Sequence, residues 1–331
     1  MISDSKKLVS VVMPVYNSQI FVKEAIESIL NQTYKEIELI IINDGSTDKS
    51  DLIIKEFNDP RIRYVNNSIN KGIVSSINEG LLLSKGKYIA RMDADDIALP
   101  TRLAKQVNFL ETHADVKLCG TTAMAINKDG KQIVKLNRPV KHNEIKAFNL
   151  FRNAFIHPTI MANANLIRQI AFTEDYKYAE DYFTFSQFTM NYKVANLKEP
   201  LLLYRLHEDS ITSTKNKEMI ESELKTIAYL LSFLFEVVEL EMAQTHHSLL
   251  RPPAIPFSIE NIHSHLYQIF EANKVKQVFD HNTLVKQLQK EWFSYLYKNK
   301  EPNALRHYLS SPMVNFKNIV PKYFFKLLFR F

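Results

Sequence analysis

Residues 87–100 read KYIARMDADDIALP. The first half, KYIARMD, is a short apolar run with the length of a buried strand, and it ends in three carboxylates, Asp93, Asp95 and Asp96. Like charges this close repel and cost stability unless something positive answers them. What precedes the run decides the fold. IVSSINEGLLLS (73–84) has helical spacing and is ended by Gly86. Before it come IRYVNN, a short strand, SDLIIKEFN, a helix, and IELIIINDGSTD (37–48), a strand stopped by a turn-forming cluster. SQIFVKEAIESILNQ (18–32) puts Phe21, Val22, Ala25, Ile26, Ile29 and Leu30 on one helical face, with Ser18 as its N-cap. The β-branched run LVSVVMPVYN (8–17) opens the series as a buried strand.

Strands alternating with helices of this length predict a parallel sheet covered on both faces, an α/β fold. Right-handed crossovers bring the C-terminal ends of all the strands to one edge, where such sheets bind ligands near the point at which strand order reverses. Three polar strand ends fall on that edge: PVYN, NDGSTD and DADD. The stretch 101–215 mixes helices and short strands, with PTRLAKQVNFLETH as a helix opened by Pro100 and Thr101. From about residue 216 the pattern is helical, with apolar residues at 220, 224, 227, 231, 234 and 238 and a proline-rich breaker, RPPAIPFS (251–258). Two domains are expected, 1–215 and a helical region 216–331.

The 331 residues, 46% hydrophobic and 24% charged, are those of a globular protein with a sizeable core. The single cysteine, Cys119, excludes an internal disulfide and fits a reducing compartment. The opening MISDSKKLVSVVMPVYN lacks the order of a signal peptide, and IAYLLSFLF (227–235) is too short to span a bilayer. A cytoplasmic, non-spanning protein is expected. The net charge of +6 is modest, but no acidic residue follows Glu301. In the closing NFKNIVPKYFFKLLFRF, Lys317, Lys322, Lys326 and Arg330 alternate with aromatic and aliphatic residues. Two readings stand: a helix on the anionic inner face of the membrane, or a helix docked on the core with solvated lysines. Nucleic acid is not an expected partner, since no recognised module is present and the rest of the chain is not basic.

Several chemistries are excluded. A nicotinamide-binding sheet needs a glycine-rich turn after its first strand, and PVYNSQIF has no glycine. A P-loop needs glycines and a Lys-Ser/Thr pair, also absent. A calcium loop from Asp93 would need Gly and Glu where Ala98 and Ala104 stand. Two carboxylates one residue apart, on a loop leaving a strand, instead suit Mg²⁺ or Mn²⁺ bridging to phosphate oxygens. A solvated acidic turn is the plain alternative.

VSVVMPVYN, SILNQTYKEIELIIINDGSTD, NKGIVSSINEGLLLSKGKYIARMDADDIALPTRL, YAEDYFTF and YRLHEDSIT occur in order over residues 8–215 and together resemble the inverting glycosyltransferases of family 2. That resemblance implies the GT-A fold, a Rossmann-like nucleotide-diphospho-sugar transferase sheet covered by helices. YIARMDADDIA, HNEIKAF, YAEDY and YRLH look most like bacterial lipooligosaccharide β-1,3-N-acetylhexosaminyltransferases. AFIHPTIMANAN departs from that subgroup, with Pro158 after His157 and no arginine nearby, which leaves the transferred sugar open.

The resemblance implies a UDP-sugar donor (UDP-GlcNAc, UDP-GalNAc or UDP-Gal) and a saccharide acceptor, lipid-linked. Pro14, Val15, Tyr16 and Asn17 would border the base, and Asp44 would accept from the uracil ring or cap the following turn. Lys71 and Arg91 would reach the diphosphate, stay solvated or, for Arg91, pair the acidic loop. Asp93 would serve the ribose or the metal's water shell, Asp95 the metal directly, and Asp96 the loop. Asp181 would be the general base with Glu180 near the acceptor, or both would cap a helix beginning YFTFSQF. His207 would close the metal or diphosphate site; His157 stands between a functional and a structural role. A fold kept as an inactive scaffold predicts missing motif carboxylates, yet all are present. A nucleotidyltransferase would need a glycine-rich activating loop near the N-terminus, which PVYNSQIF lacks.

Overall fold

A computed structural model describes residues 8–207, 216–251, 257–314 and 319–328. The chain forms two compact units: residues up to His142 with Asn153–Met219, and Asn143–Arg152 with Ile220–Phe331.

The first unit opens with β1 (Val9–Val15), α1 (Val22–Leu30), β2 (Ile37–Asn43), α2 (Ser50–Lys55), β3 (Ile62–Asn66), α3 (Ile73–Leu83) and β4 (Tyr88–Arg91). These four strands pair in parallel in the order β3-β2-β1-β4, so strand order reverses between β1 and β4. β1 and β4 are buried throughout, which is why their sequences run apolar rather than alternating. Gly86 closes β4 onto β1: a Cβ there would sit 2.6 Å from the Leu8 carbonyl oxygen and 2.7 Å from Ser10 N. Ser18 does not cap α1 with its side chain. Its carbonyl accepts from Phe21 N and Val22 N, while its hydroxyl donates to the Tyr16 carbonyl, so the N-cap is Phe21, three residues later than expected.

Beyond β4 the sheet is not parallel, contrary to the alternation rule. The elements are β5 (Ile97–Ala98), α4 (Arg102–Thr112), β6 (Val116–Ile126), β7 (Gln132–Leu136), α5 (His142–Asn149), β8 (Met161–Asn163), α6 (Ala164–Ile170), α7 (Glu180–Asn191) and β9 (Lys193–Arg205). β8 runs antiparallel to both β4 and β6, and β9 runs parallel to β6 and antiparallel to β5. The full order is β3-β2-β1-β4-β8-β6-β9-β5, with β7 on β6. Asn163, in the segment that departs from the subgroup pattern, caps α6 by accepting from Asn165 N and Leu166 N.

The second unit is helical: α8 (Asn216–Leu231, which begins in the first unit), α9 (Leu240–Ser248), α10 (Ile259–Lys276), α11 (His281–Lys298), α12 (Ala304–Ser310) and α13 (Pro321–Leu328). Ser258 and Asp280 cap α10 and α11 through their side chains. His246 is buried in its core, with Nδ1 2.9 Å from His265 Nε2 and Nε2 2.9 Å from the Leu150 carbonyl. No helix among the described residues is long and apolar enough to cross a membrane. Of the basic tail residues, Lys317 and Arg330 lie outside the described residues.

Candidate active site

β4 delivers its acidic loop at the edge where strand order reverses. Carboxylate oxygens of Asp93, Asp95 and Asp96 lie within 4.8 Å of one another. Each has a different partner. The buried Arg91 guanidinium is 2.6 Å from Asp93 Oδ1, so Arg91 pairs the acidic loop, while the Arg91 backbone N–H donates to the Ile160 carbonyl. Asp96, buried, accepts the Arg205 backbone N–H at 2.8 Å. Asp95 Oδ2 is 2.8 Å from His207 Nε2. Burial pushes the Asp93 and Asp96 carboxyls up; Arg91 opposes this at Asp93, and neighbouring carboxylates add to it at both. Below the loop, Arg102 donates to the Arg91 carbonyl at 2.7 Å and to Gln106; burial pulls its guanidinium down to about 10.

Arg205 is the clamp of this corner. Its Nε donates to the Asp95 carbonyl at 2.8 Å, Nη1 to the Lys128 and Asn127 carbonyls, and Nη2 to Glu24 at 2.7 Å. Its guanidinium also lies 4.5 Å from the Phe21 ring, which itself meets His207 at 5.5 Å. β9 thereby brings its end, and His207, to the loop. The donor set fits a hard divalent ion: three carboxylates converge, one buried oxygen, Asp96 Oδ2, lacks a partner, and one imidazole faces Asp95.

The strand ends to one side of this loop carry the other nucleotide candidates. Pro14 and Val15 are buried inside β1, whereas Tyr16 is half exposed. Asn17 adopts a left-handed backbone (φ 47°) and accepts from Thr47 N at 2.8 Å, tying the end of β1 to the loop after β2. Asp44, buried, accepts from Lys71 N at 2.9 Å and Gly72 N at 2.8 Å, so it organises the loop after β3 and not the turn that follows it. A carboxylate accepts about four hydrogen bonds, which leaves capacity for a ligand N–H. Gly45 beside it has φ +68°, and a Cβ there would sit 2.6 Å from the Ile69 carbonyl carbon. Lys71 Nζ donates to Asn67 at 3.0 Å and lies 3.9 Å from Glu79.

Glu180 and Asp181 occupy the first turn of α7, whose N-cap is Ala179. They are inside the helix, not its caps. Asp181 accepts from Asn153 Nδ2 at 2.9 Å and from Tyr182 N at 2.6 Å, two donors that suit a carboxylate. Glu180 is buried, and its Oε2 has no partner. Burial, then the Asp181 charge, pushes its carboxyl up to about 8. His157, in a 3-10 turn (His157–Thr159), packs against Phe172 and Phe185; burial and the Arg91 charge hold its imidazole well below the usual range, and its Nε2 lacks a partner. The Tyr204 hydroxyl is pushed up by burial and then by the charges of Asp93, Asp96, Asp95 and Asp181. Asn153 and the clamping contacts of Arg205 are the residues that sequence reasoning missed. Arg205 stood in a quoted motif without a role, and Asn153 carried no signal at all.

Residues 10–172 match the family described as glycosyl transferase family 2. A glycosyltransferase of Haemophilus influenzae is 38% identical over 230 residues, covering 66% of this chain and 71% of its own. The O-antigen biosynthesis glycosyltransferase WbnJ of Escherichia coli is 35% identical over 209 residues, covering 61% and 81%. Among solved structures, residues 1–349 of TarS from S. aureus, in complex with UDP-GlcNAc, superpose with a TM-score of 0.58 at 16% identity, covering 90% of this chain and 93% of that one. The fold is the expected GT-A arrangement with a helical C-terminal region.

Proposed function

Because the chain belongs to glycosyltransferase family 2, we propose that it is an inverting enzyme moving a hexose or N-acetylhexosamine from UDP-GlcNAc, UDP-GalNAc or UDP-Gal to a saccharide of lipooligosaccharide, O-antigen or capsule. The observation that carries it is a three-carboxylate loop at the edge where strand order reverses, in the same unit as an Asp181 carboxylate held separately by Asn153. One serves a charged leaving group and the other an attacking hydroxyl.

In this reading Tyr16 and Asn17 border the base, Pro14 and Val15 form the strand beneath it, and Asp44 accepts from the uracil ring. Asp93 serves the ribose, and Lys71 lies at the diphosphate. Asp95 and His207, with Asp93 through water, would hold Mn²⁺ or Mg²⁺. Such an ion, when bound, neutralises charge developing on the departing diphosphate. Asp181 takes the proton from the acceptor hydroxyl as its oxygen attacks the anomeric carbon from the face opposite the diphosphate. The sugar–diphosphate bond breaks, and a single displacement inverts the centre. Glu180, keeping its proton at neutral pH, donates a hydrogen bond to the acceptor. Pairing one neutral with one ionised carboxyl lets neighbours divide acid and base work.

Residues 1–215 carry transfer in this reading, and 216–331 acceptor or membrane association. The protein works in the cytoplasm at the inner face of the membrane, where a lipid-linked acceptor is presented. The test is UDP release and product formation on a galactose-terminated acceptor, with each UDP-sugar in turn, for the wild type and Asp181→Asn. Full activity of Asp181→Asn would overturn the base assignment.

A further inference from the structure

The positive charge of this chain is concentrated at one end. Residues 281–331 contain nine Lys and Arg against two acidic residues, Glu291 and Glu301, an excess larger than the net +6 of the whole chain. The preceding 280 residues are therefore slightly acidic overall. Glu291 is buried and paired with Arg152 at 2.5 Å, so it does little to offset the surface charge.

Within this basic end, α13 splits its apolar residues between two sides. Tyr323 stacks on Phe293 at 4.5 Å and meets Tyr308 edge-on, and Leu327 is buried; that side fastens the helix to the second unit. The other side holds large apolar groups outward. Phe325 is 53% and Leu328 47% exposed, next to the exposed Lys322 and Lys326. Lys326 Nζ lies 6.0 Å from the ring of Tyr297, itself 43% exposed, at the end of α11 where Lys298 and Lys300 are also exposed. A helix that only closes a core turns such residues in; apolar groups flanked by lysines on an exposed face mark a surface meant to be covered.

Charge complementarity selects the occupant. A second copy, paired about a two-fold axis, would set the same lysines against one another. A phosphate backbone would answer the lysines and leave Phe325 and Leu328 in water. An anionic bilayer answers both. We infer that the α13 face formed by Lys322, Phe325, Lys326 and Leu328, with Tyr297 beside it, docks on an anionic phospholipid bilayer. The lysines sit at the headgroup phosphates, and Phe325 and Leu328 enter the boundary between headgroups and acyl chains. This deepens the proposed transfer to a lipid-linked acceptor, because it holds the enzyme on the surface that presents it.

The test is flotation of the full chain with vesicles of phosphatidylcholine alone or of phosphatidylcholine with phosphatidylglycerol, without donor or acceptor. Binding to the anionic vesicles only, weakening with salt, is expected. Each lysine near such a surface is worth roughly fivefold in partitioning, so K322E/K326E is expected to lose at least about 25-fold. F325A/L328A is expected to lose about tenfold or more through apolar area withdrawn from the lipid. Both pairs are surface-exposed, and both variants are expected to keep the wild-type melting temperature and UDP release with a water-soluble acceptor. Equal partitioning to neutral and anionic vesicles, or unchanged binding of K322E/K326E, overturns the proposal. A change of solution mass in F325A/L328A with vesicle binding intact makes the face a contact between copies and overturns it too. No vesicle binding by the wild type, with its soluble transfer intact, counts against docking alone. No transfer by the wild type, with vesicle binding intact, counts against the transferase reading alone.

Discussion

Replacing Glu180 by Gln is predicted to raise stability at alkaline pH and to change it far less near pH 5. Glu180 is buried in the first turn of α7, with one carboxyl oxygen unpartnered and Asp181 adjacent. Burial comes first and the Asp181 charge second in pushing its carboxyl to about 8 from 4.5; Arg91 opposes the shift and Glu174 adds slightly to it. Between those two values the folded protein keeps a proton that the unfolded chain has released. Stability from this group is therefore complete below about pH 4.5 and is lost as pH rises through about 8. At about 1.36 kcal/mol per pH unit the full shift sets a ceiling near 5 kcal/mol. Charge shared with Asp181 and local relaxation reduce this to about 2–3 kcal/mol, or roughly 3–4 °C in melting temperature for a chain of 331 residues. Gln abolishes the titration. Its buried amide brings a cost of its own, but that cost is independent of pH. The measurement is the difference in melting temperature between Glu180→Gln and the wild type at about pH 5, 7 and 9, at fixed ionic strength. The difference must shift in favour of the variant as pH rises. A difference constant across that range would show that Glu180 ionises in the folded state as freely as in the unfolded one, and the neutral role proposed for it would fall.

Asn153→Ala removes a 2.9 Å donor from Asp181. A fall of about tenfold in kcat with donor KM unchanged is expected, from misplacement of the base. Gly45→Ala forces a Cβ to within 2.6 Å of the Ile69 carbonyl carbon in a left-handed backbone, and so disturbs the loop that Asp44 holds. It should raise donor KM several-fold and lower the melting temperature, and donor titration will check this. Arg205→Met breaks the bonds to Glu24 and to the Asp95, Asn127 and Lys128 carbonyls. A loss of about 1–3 kcal/mol in urea unfolding is expected, since a buried guanidinium gives up its bonds to half-buried and exposed partners.

The parallel half of the sheet was legible because β1, β2 and β4 are buried on both faces and their sequences run apolar up to a polar end. The antiparallel half was not. β5 has two residues and β8 three, too few to carry a period, and β9 pairs with β6 through register shifts that break alternation. The site divides in the same way. Asp93, Asp95 and Asp96 stood out as polar residues at a strand end, which local spacing reveals, whereas Asp181 and His207 were marked by the family resemblance of YAEDY and YRLH. Arg91 and the Tyr182 N–H are local partners of Asp93 and Asp181, but other contacts of these groups come from far along the chain. Arg205 reaches the Asp95 carbonyl across 110 positions, and Asn153 reaches Asp181 across 28. Nothing local in RNAFIHP marks Asn153 as a ligand of a carboxylate; its partner is set by where this segment meets α7, through Phe155 and His157 against Phe185.

The repulsion within DADD has an answer already inside the protein, and it is unequal. Arg91 pairs Asp93, the Arg205 backbone N–H holds Asp96, and the Arg102 charge acts on both. The Asp95 carboxylate meets an imidazole instead, His207 Nε2 at 2.8 Å. Two carboxylates are thus committed to the fold, while the third has a partner that can itself turn to a cation. The loop should therefore separate under substitution. Asp95→Asn should weaken Mn²⁺ binding in the presence of UDP by about 100-fold and leave unfolding nearly unchanged. Asp93→Asn should weaken that binding less, by about tenfold, yet cost about 1–3 kcal/mol, because Arg91 is left as a buried charge beside a neutral amide. That cost is discounted for the 30% exposure Asp93 retains. Calorimetric titration and urea unfolding on the two variants decide the matter. If Asp93→Asn proves the worse for the ion and Asp95→Asn the worse for the fold, the division of labour in this loop is the reverse of the one drawn from its partners.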